Sequence, residues 1–247
     1  MHQALTDSLV IIPTYNEREN IVRMIETVFS LEKAFHLLIV DDGSPDGTAG
    51  LVRQQQERYE GRLFLLERSG KQGLGTAYIA GFRWGLERSY DYFFEMDADF
   101  SHNPNDLMRL YAACAEGGAG LAVGSRYVKG GKLENWPFDR VFLSMGASLY
   151  VRLITWMPVK DPTAGFICYH RKVLEAIGLD KIRFVGYAFQ IEMKFATYQL
   201  GFPIKEVPIT FSDRLEGISK MSKGIVKEAI LGVLQMRFRS LFGSYRA

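Results

Sequence analysis

Cysteine is scarce in this chain, and so are long apolar runs, charge of one sign and repetitive sequence. The two cysteines, Cys114 and Cys168, lie in or beside apolar stretches and lack the spacing of a metal site. Both are therefore expected to be reduced core residues of a cytosolic protein. No apolar run approaches the ~18 residues that a bilayer-spanning helix needs. The N-terminal MHQALTDS passes directly into VIIP without a basic segment or an apolar h-region, so no signal peptide is expected. A formal charge of +2 is too small to draw nucleic acid by itself. Nucleic acid is not an expected partner, and any anionic partner has to be met by local basic patches. Internal repeats, low-complexity tracts and linkers are absent as well.

What is present is an ordinary globular composition, 47% hydrophobic and 23% charged, which argues against disorder. The 247 residues suit one α/β domain. Apolar runs SLVIIP (8–13), FHLLIV (35–40), RLFLLE (62–67), YFFEM (92–96) and AGLAVGS (119–125) read as buried strands. Helical segments at 19–31, 48–59 and 76–89 alternate with them, and Asn103-Pro104 supplies an N-cap and first-turn proline for a helix carrying Leu107, Leu110 and Tyr111. Alternation of this kind predicts βα units on a mostly parallel sheet flanked by helices. The second half is less regular: a turn-rich KGGKLENWPFD, an apolar helix at 138–157, a short strand at GFICYH, a helix at 187–200, a strand at IKEVPITF and a basic helical segment at 221–242. A single domain over 1–247 is the expectation, with 8–125 holding a nucleotide sugar and 126–247 serving an acceptor and a membrane interface.

Polar clusters stand at the carboxyl ends of three strands: PTYNE (13–17), DDGSPDGT (41–48) and DADFSH (97–102). In open parallel sheets ligands bind in the crevice outside those ends. Asp41 and Asp42 can accept hydrogen bonds there from a base or a sugar hydroxyl, while Asp46 is expected only to shape the turn before Thr48. Asp97 and Asp99 project to one side of an extended backbone. Two acids so placed are expensive to bury without a cation, and Mg²⁺ or Mn²⁺ binds through one or two carboxylates plus substrate phosphates. Gly70, Gly73 and Gly75 would let backbone amides approach a phosphate at a helix N-terminus, and Lys71 meets either phosphate or water. Gln190 and Glu192 cannot share a helix face, so one faces the site and the other supports structure.

The motifs PTYNE, VDDGSPDGT, GKQGLGTAY, EMDADFSH, GSRY, DPTAGF, GYAFQIEM and DRLEGISKM follow in an order that resembles the polyprenol monophosphate mannose synthases, also called dolichol-phosphate mannosyltransferases. These are inverting GT-A glycosyltransferases of family 2, and the resemblance, to the short form without membrane spans, covers roughly residues 8–224. It implies a GT-A, Rossmann-like fold, a nucleotide-sugar donor, usually GDP-mannose, a polyprenyl phosphate acceptor and a divalent metal. Pro13, Tyr15, Glu17 and Asp42 match donor-nucleotide contacts, with Asp41 beside them; Asp97 and Asp99 match the metal and donor-diphosphate site. Arg126 and Arg140 match arginines near the acceptor phosphate, Arg214 and Lys220 match a basic loop over the active site, and Gln190 is favoured as the site-facing polar residue. Asp99, Arg126 and Arg140 form the expected catalytic set. Many prokaryotic relatives carry Gln where this chain has Ser101 followed by His102, so a glutamine ligand cannot be carried over and Ser101 stands as the third candidate metal ligand.

A polyprenol tail stays in the bilayer, so the resemblance implies a protein peripheral on the cytoplasmic face of a membrane, with or without an anchoring subunit. Phe142, Met145, Leu149, Leu153 and Trp156 fall along one side of 138–157. In 225–242 the residues Ile225, Val226, Ile230, Val233, Leu234, Phe238 and Leu241 accompany Lys223, Lys227, Arg237 and Arg239. Basic amphipathic helices of this kind lie in the membrane interface; the alternative is packing on the sheet or on a partner. Three rivals remain: a same-fold transferase using UDP-glucose, a nucleotidyltransferase, which would carry a glycine-rich basic loop where this chain has PTYNEREN, and a non-catalytic scaffold.

Overall fold

A computed structural model describes residues 6–186, 188–212 and 223–247, with the side chains of 223–230 left aside. The first half alternates as expected: β1 (Ser8–Thr14), α1 (Ile21–Phe29), β2 (His36–Asp41), α2 (Thr48–Arg58), β3 (Leu63–Glu67), α3 (Leu74–Leu86), β4 (Tyr92–Glu95), α4 (Asp106–Ala115) and β5 (Leu121–Ser125). The second half runs β6 (Lys132–Glu134), α5 (Phe138–Thr155), β7 (Ile167–His170), α6 (Arg171–Ala176), one 3-10 turn at Leu179–Lys181, α7 (Ala188–Gln199), β8 (Ile204–Pro208), β9 (Thr210–Ser212) and α8 (Lys223–Arg239). Asn103 does not cap α4 directly. Its Oδ1 accepts from the Asn105 N–H at 3.1 Å, forming a turn that delays the helix to Asp106.

Seven strands form one sheet in the order β3-β2-β1-β4-β7-β5-β8, and β6 pairs with β9 in a separate ribbon. The stretch read as one strand, IKEVPITF, is thus two. Its first part extends the main sheet beside β5, and its second joins the ribbon. The sheet is mostly parallel, but β7 runs antiparallel to both neighbours. Alternate side chains of a strand face opposite sides, and β1 shows it: Leu9 and Ile11 enter one apolar cluster with α3 and α7 residues. Val10 and Ile12 enter the other, with α1 and α4 residues. Burial on both faces explains why these strands read as continuous apolar runs. α3 approaches the sheet closely through glycine. A Cβ at Gly85 would stand 2.5 Å from Phe93 Cε1, and one at Gly81 would stand 2.6 Å from Ile11 Cγ2.

The chain leaves β1 toward β2 and β3 on one side, and returns to β4 on the other. That reversal is the topological switch point where an open α/β sheet presents its binding crevice. Pairing of β1 with β4 stops at Ile11 and Glu95, while β1 continues with β2 to Thr14 and Asp41. Pro13 lies beyond the last β4 partner, so its missing N–H removes no bond from that ladder. The acidic loops therefore surround an opening between β1 and β4.

Candidate active site

The loops after β1 and β2 are built from internal hydrogen bonds. Asp41, 1% exposed, accepts from Thr14 Oγ1 at 2.9 Å, the Ser44 N–H at 2.9 Å and Ser44 Oγ at 2.6 Å. Its carboxylate shapes the loop from within, which leaves Asp42 as the member of the pair expected to face the crevice. Asp42 is gripped by Arg68, whose Nε donates at 2.7 Å and Nη2 at 3.2 Å. Such a fork presents the carboxylate in a fixed plane. Asp46 takes the turn role expected of it, accepting from the Thr48 N–H at 3.0 Å and Oγ1 at 2.7 Å. In the adjoining loop after β1, which is hydrogen-bonded to this one, Tyr15 is 40% exposed, and Lys71 Nζ stands 5.0 Å from its ring centroid. Glu17 lies on the loop leading to α1 and accepts from Asn20 Nδ2. The glycine-rich segment is partly occupied: the Gly75 N–H donates to the Val185 carbonyl at 2.9 Å, so that amide is not offered to a phosphate.

At the other side of the opening, residues 98–101 bend rather than continue extended, and Phe100 takes a left-handed φ of 59°. This departs from the extended geometry expected for Asp97 and Asp99. A bulky residue in that region costs on the order of 1–2 kcal/mol, and strain of this kind concentrates at functional loops. Asp99 is mostly buried and accepts from the Ser101 N–H at 3.0 Å. Asp97 keeps a third of its side chain exposed, with His102 Nδ1 3.9 Å from its Oδ2. Ser101 Oγ is buried without a hydrogen-bond partner. Such an orphan hydroxyl, on the residue whose N–H binds the Asp99 carboxylate, fits an oxygen-liganded cation. Among the described residues no group of three or more His, Cys, Asp or Glu could hold a metal; Mg²⁺ and Mn²⁺ need only one or two carboxylates when substrate phosphates complete the shell.

His102 fastens this loop to the second half of the chain. Its ring stacks on Phe166 with centroids 4.9 Å apart and meets the Phe211 ring edge at 5.1 Å, and it forms a β-bridge with Phe211. Phe211 in turn meets Trp136 at 5.6 Å. Around that indole the structure gathers both arginines singled out in the sequence. The Arg140 guanidinium carbon is 3.8 Å from the Trp136 ring centroid and that of Arg126 is 5.6 Å away. Arg126 is held by Asp161, which is fully buried, through Nε at 2.7 Å and Nη2 at 2.6 Å. Nη2 also reaches Thr163 Oγ1 at 2.9 Å. Burial would lower the Arg126 pKa, but the Asp161 carboxylate outweighs it and the pKa is raised. The two-point grip sets the plane of the guanidinium while Nη1 takes no part in it. Arg214 and Lys220 lie outside the described residues.

Gln190, expected on the acceptor phosphate, is 3% exposed; its Nε2 donates to Glu95 Oε2 at 2.5 Å, supporting the acidic loop from beneath, while its Oε1 is buried without a hydrogen-bond partner. Glu192 fills the supporting role on another side of α7, accepting from the Arg183 and Phe184 N–H groups at 2.8 and 3.0 Å. Sequence reading missed Arg68, Glu95, Asp161 and Trp136. A buried carboxylate facing Arg126 was required by the chemistry of burying a guanidinium, but its position followed from the chain path alone.

The α5 residues expected at a membrane are exposed: Phe142 78%, Met145 54%, Leu149 54%, Leu153 64% and Trp156 71%. On α8 and just beyond it, Leu234, Phe238 and Leu241 are exposed, whereas Val233 is buried and belongs to the core. Arg237 lies 4.6 Å from the Trp156 ring centroid, joining the two surfaces. The side chains of Lys223, Ile225, Val226, Lys227 and Ile230 lie outside those described. Among the described residues no helix is long and apolar enough to cross a membrane.

Comparison with known proteins gives matches along the whole of this architecture. The family profile described as glycosyl transferase family 2 matches residues 9–178. Undecaprenyl-phosphate mannosyltransferase of Micrococcus luteus is 46% identical over 239 residues, covering 97% of each chain. Polyprenol monophosphomannose synthase of Mycolicibacterium smegmatis is 46% identical over 232 residues, 94% of this chain and 87% of that one. Among solved structures, glucosyl-3-phosphoglycerate synthase from Mycobacterium tuberculosis in complex with UDP superimposes with a TM-score of 0.69 at 16% identity, covering 96% of this chain and 80% of that one. A mannosyltransferase from Pyrobaculum calidifontis in complex with GDP-Man and Mn²⁺ gives 0.61 at 17% identity, covering 99% and 67%. At such identities these two similarities speak for the fold alone.

Proposed function

The chain belongs to glycosyl transferase family 2, and on that premise we propose that it transfers mannose from GDP-mannose to a polyprenyl phosphate, releasing GDP and leaving a β-linked mannosyl phosphate lipid. The observation that carries this reading is the 46% identity along 97% of both chains with undecaprenyl-phosphate mannosyltransferase. Residues 8–125 then form the donor half and 126–247 the acceptor and membrane half, a division of labour across one continuous sheet.

Pro13, Tyr15, Glu17 and Asp42 line the donor nucleotide, and Asp41 keeps their loops in shape. Asp97 and Asp99, with Ser101, would hold Mg²⁺ or Mn²⁺. When bound, the ion offsets the charge that builds on the departing diphosphate. The acceptor phosphate is already ionised near neutral pH, so its oxygen attacks the anomeric carbon without a strong general base. The chain's task is alignment and charge stabilisation. Arg126, oriented by Asp161, and Arg140, laid on Trp136, present guanidinium groups to the acceptor phosphate; Arg214 and Lys220 are assigned to the same phosphate from the DRLEGISKM motif alone. One displacement turns the α-linked donor into a β-linked product.

The exposed faces of α5 and of the end of α8 rest on the bilayer, on its cytoplasmic face where nucleotide sugars are supplied. The helices themselves provide the contact, so this reading assigns no anchoring subunit. Purified protein incubated with Mn²⁺ or Mg²⁺, a short polyprenyl phosphate and, separately, GDP-mannose, UDP-glucose and UDP-N-acetylglucosamine tests the assignment by mass spectrometry of the lipid. Mannolipid from GDP-mannose alone is the expected result. Glycolipid from a uridine donor would replace the donor, and the absence of product from every donor would refute the reading.

A further inference from the structure

Beneath the acidic loop the core holds a set of polar side chains that the reaction itself does not use. Glu95 is the last residue of β4, two before Asp97, and is fully buried. Its carboxylate receives Gln190 Nε2 at 2.5 Å and the Tyr169 hydroxyl at 3.0 Å. One turn along α7, Lys194 is also fully buried. Its Nζ donates to the Gln190 carbonyl at 3.0 Å and to the Ala164 carbonyl at 2.6 Å. Ala164 belongs to the loop that begins at Asp161, to whose carbonyl its own N–H donates at 3.3 Å, and Asp161 holds Arg126. A continuous polar path thus runs from the end of the strand that leads to Asp97, through α7, to the loop carrying the anchor of Arg126.

We infer that Glu95, Gln190 and Lys194 form a buried positioning strut that fixes the metal-holding acidic loop relative to the Arg126–Asp161 arm. The inference rests on the mannosyl-transfer reading, because that reading gives the two ends their partners, donor diphosphate and acceptor phosphate. Stability alone does not account for such groups, since replacing buried ionic groups by well-packed apolar residues is often neutral or stabilising. Positional specificity is what a hydrogen-bonded network adds over an apolar core. In-line displacement between the two halves of the site requires their separation to be fixed, and a misplacement of about 1 Å can cost about 10²-fold in rate.

The experiment compares Glu95→Gln, Gln190→Glu, the exchange variant E95Q/Q190E and Lys194→Met, using transfer kinetics, calorimetry of GDP in the presence of Mn²⁺, and thermal melts. Each single variant is expected to lower kcat about 100-fold while the Kd for GDP stays within about threefold, because the strut sets alignment rather than donor affinity. The exchange variant restores one carboxylate and one amide to the pair and should recover at least about tenfold of the lost kcat. Should Glu95→Gln fail to fold, Tyr169→Phe removes one hydroxyl from the same carboxylate and should lower kcat about tenfold. An unchanged kcat per folded enzyme, whatever the melting temperature, overturns the strut, as does an exchange variant no better than either single. If wild-type protein transfers no mannose at all, the mannosyl-transfer reading fails first and the strut falls with it.

Discussion

Asp97 and Asp99 stand two residues apart yet in unlike surroundings, the first a third exposed and near His102, the second buried against the Ser101 amide. Replacing Asp99 with Ala should lower transfer at least about 100-fold while urea unfolding changes by no more than about 1 kcal/mol; wild-type turnover would remove the metal assignment. Asp161 predicts a different signature, because its substitution by Asn leaves the Arg126 charge buried without its partner. A loss of about 3–5 kcal/mol is expected, read by urea unfolding, with a raised KM for the lipid phosphate. At this scale the acids at strand ends were legible, since carboxylates that close an apolar run have few structural uses. The roles of Asp41 and Gln190 were not. Whether a polar side chain turns toward ligand or inward depends on partners such as Thr14 and Glu95, which lie 27 and 95 residues away.

Helix α3 shows how one element positions the site through what it omits. Gly81 and Gly85 let it settle on Leu9, Ile11 and Phe93, which seats β1 and β4 at the switch point. Gly85→Ala would drive a methyl group into Phe93 and Leu9, and should destabilise the protein by about 1–3 kcal/mol, measured by urea unfolding. The first half of the fold was readable because each βα unit repeats one periodicity. The antiparallel insertion of β7 between β4 and β5 was not, for GFICYH has the same apolar content in either direction. Pairing across the sheet decides its place, and with it the position of Asp161 beside Arg126. On α5 the exposed side carries Phe142 and Leu149, and Phe142→Glu with Leu149→Glu should leave thermal stability unchanged. Partition onto phospholipid vesicles should fall by roughly tenfold or more, since burying each such side chain is worth about 1.5–3 kcal/mol. Undiminished vesicle binding would reassign that face to packing.

Across the whole molecule, the site is a junction of two halves that share one sheet: acidic loops at the β1–β4 opening, arginines around Trp136, and His102 reaching Phe211 between them. Removal of divalent metal by EDTA should reduce transfer by about 10²-fold or more, with activity returning on addition of Mn²⁺ or Mg²⁺. An enzyme indifferent to EDTA would deny the paired acids their role. In the proposed mechanism the lipid phosphate displaces the nucleoside diphosphate in a single step across this junction. The anomeric configuration of the mannolipid made from α-linked GDP-mannose, determined by NMR, tests it most directly. A β-linked product alone is the predicted result, and an α-linked product would contradict the account.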